Sequence, residues 1–137
     1  MAEHKRILCI DFDGVIHSYT SGWQGADVIA DPPVPGALDW LESLIVDGFE
    51  VCIYSSRSKE PGGPEAMRAW LEDWCDDDDQ GLGRLGELSY PTEKPAAYLT
   101  IDDRAICFQG TFPTTTEIKA FTPWHCREFG AGVRGES

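Results

Sequence analysis

Three short apolar runs, each closed by an oxygen-bearing residue, constrain this chain more than any other feature. The first is Ile7-Leu8-Cys9-Ile10, ending in Asp11-Phe12-Asp13-Gly14. The second runs from Phe49 to Tyr54 and ends at Ser55, and the third covers Ala96 to Ile101 and ends in Asp102-Asp103. A short continuous apolar run bounded by a turn signal predicts a buried strand of the kind found in parallel sheets.

The segments between these runs read as helices and loops. After Pro35-Gly36, the spacing of Leu38, Leu41, Leu44 and Ile45 predicts a helix with one apolar face, and Gly48 supplies its stop. From Glu65 onward, Met67, Trp70, Leu71 and Trp74 recur at helical spacing and predict a second core-facing helix. Residues 17–34, punctuated by aromatic, Gly, Asp and Pro residues, predict a flap. Its His17, Tyr19 and Trp23 can touch a ligand or pack on their own domain. Ala105 to Phe108 reads as a further short strand. Strands alternating with helices give an α/β domain with a mostly parallel, helix-flanked sheet. In such sheets ligands bind at the carboxyl ends of the strands. The polar residues expected there are Asp11, Asp13, Ser55, Asp102 and Asp103.

At 137 residues the chain suits one domain, read as residues 1–130 with a loose Gly-rich tail at 131–137. Twenty-four acidic residues against eleven basic ones give a net charge of −13, which argues against general coating of nucleic acid. Part of that excess is the run Asp76 to Asp79, expected to be a solvated loop or helix end. An anionic substrate would need a bound cation to approach. Five cysteines without a CxxC pair predict reduced thiols in a cytoplasmic protein and no zinc site. Cys9, Cys52 and Cys107 lie in apolar runs and are expected to be buried. No segment has the length and apolarity of a membrane span or a signal peptide. His4 and His125 have no partner spacing and receive no role, and the composition leaves oligomeric state open.

Two carboxylates at one strand end repel unless they share a proton or a cation, and magnesium prefers such hard oxygen ligands. A carboxylate such as Asp11 can attack phosphorus, while a neighbour such as Asp13 passes protons. The Ser55 hydroxyl and the following N–H of Ser56 suit non-reacting phosphate oxygens, or simply a serine turn. Arg57 has a fork that fits phosphate, or else a solvated surface place. Lys94 can neutralise charge at the site or remain a surface lysine. Asp102-Asp103 can anchor a metal or form a turn.

Taken in order, Asp11-x-Asp13, Ser55, Lys94 and Asp102-Asp103 resemble the motifs of the haloacid dehalogenase-like hydrolase superfamily, over residues 7–108. The resemblance implies a three-layer Rossmann-like fold with a minimal cap. It makes Asp11 the nucleophile and Asp13 the general acid/base, which also offers its backbone carbonyl to magnesium. Ser55 and Lys94 would hold the phosphate, and Asp103 would ligate the metal with Asp102 in support. The strings Ser55-Ser56-Arg57 and Ile101-Asp102-Asp103-Arg104 are also similar to the phosphatase domain of polynucleotide kinases, although no GxxxxGK[ST] loop is present. The expected activity is therefore a magnesium-dependent phosphatase acting on a small phosphorylated molecule or a nucleic-acid end. A phospho-acceptor or a catalytically silent binding module is the alternative.

Overall fold

The computed structural model describes residues 5–75 and 82–124. Within them, β1 (Ile7–Ile10), β2 (Glu50–Ile53) and β3 (Leu99–Ile101) form a three-stranded parallel sheet in the order β2-β1-β3. Helix α1 (Ala37–Val46) links β1 to β2, α2 (Gly63–Trp74) follows β2, and a short α3 (Thr115–Lys119) follows β3. A single 3-10 turn covers Gly83–Glu87. Parallel neighbours need a crossover, and α1 supplies the one between β1 and β2. The architecture is α/β, with a small open parallel sheet and helices.

The core explains why these segments fold as they do. Leu8, Cys9 and Ile10 of β1 and Val51, Cys52 and Ile53 of β2 are all buried, as expected for a central strand and its neighbour. Helix α1 buries Ala37, Leu41 and Ile45, one turn apart each time, with Leu38 and Leu44 packed at the margin of the core. The helix ends at Asp47, and Gly48 takes a φ of +101° that a side chain would disfavour. Helix α2 buries Met67, Trp70 and Leu71 against the same core.

Several expectations are corrected. Trp74, assigned to the core face of α2, sits in its last turn with an exposed ring, 6.4 Å from that of Trp70. The third strand is only Leu99–Ile101, and Leu99 and Thr100 are exposed because no described element covers them. Residues 105–108 form no strand: after the turn at Asp102 the chain leaves the sheet without pairing, and Cys107 is exposed rather than buried. The flap at 17–34 is irregular as expected, but it is packed down, with His17 and Asp31 buried. The Asp76–Asp79 run, the 131–137 tail, His4, His125 and Cys126 lie outside the described residues. No helix among the described residues is long and apolar enough to cross a membrane.

Candidate active site

Strand register assembles the site. Ile10 pairs with both Ile53 and Ile101, so Asp11, Tyr54 and Asp102 emerge in one row at the carboxyl edge. The Asp11 N–H donates to the Ile101 carbonyl at 2.9 Å, and the Tyr54 N–H donates to the Ile10 carbonyl at 3.1 Å, which extends both pairings one step beyond the strands. Carboxylate oxygens of Asp11, Asp102 and Asp103 then lie within 4.8 Å of one another.

Three carboxylates this close cannot all be ionised comfortably. The Asp11 carboxyl is pushed up to about 8, first by burial, then by the charge of Asp102 and by hydrogen bonding and charge from Asp103. The cluster therefore calls for a shared proton or a cation. An all-oxygen donor set with excess negative charge fits a hard divalent ion such as magnesium.

Gly14 makes room for this cluster. Its φ is +90°, and a Cβ there would overlap the Asp103 carboxylate, so only glycine fits. The Gly14 carbonyl accepts a hydrogen bond of 2.6 Å from Trp124 Nε1, which brings the end of the described chain to the rim of the site. Asp102 accepts the Arg104 N–H at 2.8 Å, a turn that fixes the Asp102-Asp103 corner.

Asp13 faces a different set of partners. One of its oxygens is 2.9 Å from Arg57 Nε, and the other is 2.8 Å from His17 Nδ1. The Asp31 N–H donates to His17 Nε2 at 3.1 Å, so that nitrogen is an acceptor and the ring proton sits on Nδ1, directed at Asp13. His17 stacks on the buried Phe12 at 5.6 Å and meets Trp70 edge-on, and Trp70 donates from Nε1 to the Asp31 carbonyl. The flap is thus tied to β1 and α2 through Asp13, His17 and Asp31.

Burial alone would disfavour ionised Asp31, but the Ser21 hydroxyl and N–H, with Thr20 and His17, hold its carboxyl below the ordinary value of 3.8. A depressed acid adds stability above its unfolded pKa and loses it as pH falls through the folded value. Asp31→Asn should therefore lower the thermal midpoint near pH 7 by an amount equivalent to about 1 kcal/mol. The gap from the parent should close as pH falls below 3.8, and melting curves across pH would measure it.

Arg57 is fully buried. Its Nη1 donates to the carbonyls of Gly25, Ala26 and Val28, its Nε to Asp13, and its guanidinium lies 4.9 Å from the Trp23 ring centre. Only Nη2 has no hydrogen-bond partner among the described residues. Ser55 is also buried: its hydroxyl accepts the Arg57 N–H and points toward Met67 Sδ at 3.8 Å, while its N–H donates to Ser58 Oγ. Ser56 and Lys94 are exposed, and Lys94 makes no ion pair among the described residues.

Of the residues read from sequence, the structure brings Asp11, Asp102 and Asp103 together and joins Asp13 to Arg57. It gives Ser55 a turn and leaves Lys94 in solvent. Sequence reasoning missed Asp31 and the Trp124–Gly14 link. The glycine closing Asp11-Phe12-Asp13-Gly14 was the available signal for a close approach. Nothing local ties Trp124 to it across 110 residues. No protein-family model, curated protein or solved structure matches the chain.

Proposed function

We propose that this chain is a magnesium-dependent phosphatase of the haloacid dehalogenase-like type, its nucleophile Asp11. The observation that carries the reading is the meeting of Asp11, Asp102 and Asp103 oxygens within 4.8 Å at the ends of two adjacent parallel strands. The sheet with its helices is then the centre of a three-layer Rossmann-like domain with little cap, in a cytoplasmic setting.

In this reading an Asp11 oxygen bonds to phosphorus as the ester oxygen leaves and takes a proton from Asp13. Asp13 next removes a proton from water, whose oxygen attacks the aspartyl-phosphate. Inorganic phosphate departs and the Asp11 carboxylate is restored. Asp11, Asp102 and Asp103, with the Asp13 backbone carbonyl, would hold the metal. Bound magnesium would offset the charge of the cluster and of the phosphate oxygens. In this reading Ser55, Ser56, Arg57 and Lys94 would serve the phosphate: Ser56 and Lys94 are exposed, while the Ser55 side chain and Arg57 Nη2 are buried and would reach it only after a local rearrangement.

A second reading draws on one feature. The carboxylate of Asp13 is held by Arg57 and His17, which restrains it as an acid. A chain with an idle Asp13 would form an aspartyl-phosphate and keep it, as a phospho-acceptor does.

The test is phosphate release from a panel of small esters by purified protein. Release in magnesium and its loss in EDTA are expected. Undiminished release in EDTA would remove the metal from the reading, and a silent panel would remove the enzyme. A phosphoprotein that persists after acetyl-phosphate treatment would favour the acceptor.

A further inference from the structure

We propose that the substrate is a nucleoside monophosphate, its base lying on the outer face of Trp23 and beside Tyr19; this rests on the phosphatase reading above. Aromatic residues in a loop usually pack on their own domain, and Phe12 and His17 do so here, with exposures of 0% and 1%. Trp23 does not: its ring is 49% exposed. One face of the indole lies over the Arg57 guanidinium, whose Nε is 2.9 Å from Asp13. The ring is therefore fixed close to the reacting groups by a buried cation, with half its surface left to solvent. A large apolar surface held in that way is a platform for another flat ring.

Tyr19 adds an independent observation. It is the one non-glycine residue with positive φ among those described, at +63°, a conformation that a bulky side chain rarely adopts. Strain of this kind gathers at ligand-contacting loops, where surrounding structure holds it in place. The Tyr19 ring meets His17 edge-on at 5.8 Å, and burial, with the charge of Asp13 behind it, pushes its phenol above the ordinary value. The Tyr19 ring thus lies beside His17, whose Nδ1 meets Asp13 at 2.8 Å.

Charge narrows the class. A net charge of −13 opposes a polynucleotide, which carries a charge at every residue. One phosphate with a bound cation avoids that repulsion. The reaction consumes water and yields a nucleoside and inorganic phosphate.

The experiment compares kcat/KM for adenosine 5′-monophosphate, for ribose 5-phosphate, which keeps phosphate and sugar but lacks the base, and for a 5′-phosphorylated oligonucleotide. The nucleotide should exceed ribose 5-phosphate by about tenfold or more, mainly through KM. Trp23→Ala should collapse that ratio toward one, and Trp23→Phe should restore much of it. The ratio separates base recognition from any general loss of activity. Equal turnover of nucleotide and ribose 5-phosphate, or a ratio unmoved by Trp23→Ala, would overturn the proposal and leave the phosphatase standing. Preference for the oligonucleotide would overturn the mononucleotide class. Turnover of none of the three would overturn this proposal, while the small-ester panel decides the phosphatase reading separately.

Discussion

Asp11→Asn is expected to lower phosphate release by roughly four orders of magnitude or more, the scale seen when a covalent nucleophile is removed. The amide keeps the size and position of the carboxylate, but its oxygen is a poor nucleophile and it cannot form the acyl phosphate. Folding should survive. The side chain is repelled by Asp102 and Asp103, and replacing a buried carboxylate with a neutral group relieves that repulsion. The variant should therefore melt at or above the temperature of the parent in EDTA. Magnesium should raise the midpoint of the parent more than that of the variant, because the variant has lost one anionic ligand. Kinetics and melting together separate loss of chemistry from loss of structure. A variant that folds and still releases phosphate at a tenth of the parental rate would show that Asp11 is not the attacking group.

How far the sequence carried the fold depends on which forces set each element. β1, β2, α1 and α2 are dictated by local burial, so periodicity and turn residues located them within a few positions. β3 was overestimated because Ala96 to Ile101 is apolar, whereas the ladder with β1 covers Leu99 to Ile101, preceded by a single hydrogen bond from the Tyr98 N–H to the Ile7 carbonyl. Residues 105–108 misled in the same way, since apolar composition is satisfied equally by a strand and by an exposed loop. The acidic cluster was legible because register alone brings strand ends together: once Ile10 pairs with Ile101, Asp11 must lie beside Asp102. The partners of Asp13 were not. Arg57 arrives from beyond β2, and His17 from a flap whose path is set by hydrogen bonds between distant residues, Asp31 to His17 and Trp70 to Asp31 among them. No spacing rule encodes those contacts. Arg57 was read as a choice between a phosphate ligand and a surface charge, and its full burial fits neither in simple form.

That burial makes Arg57→Met the substitution with the largest expected effect on stability. Methionine is close in length and apolar, so it fills space without carrying charge. Its introduction leaves the Asp13 carboxylate with His17 alone. It also leaves the carbonyls of Gly25, Ala26 and Val28 without the donor they share. Removing one member of a buried ion pair costs about 3–5 kcal/mol, because the remaining charge stays desolvated. Against a total of roughly 5–15 kcal/mol for a domain, this is a large fraction. The thermal midpoint should fall by roughly 10–20 °C for a chain of this size. Arg57→Lys should be intermediate, since an ammonium keeps the charge but lacks the planar fork that reaches Asp13 and three carbonyls at once. Pairing Arg57→Met with Asp13→Asn should recover part of the loss by removing the stranded charge, and a double-mutant cycle would give the coupling. If Arg57→Met melts within one or two degrees of the parent, the flap is not held by this network.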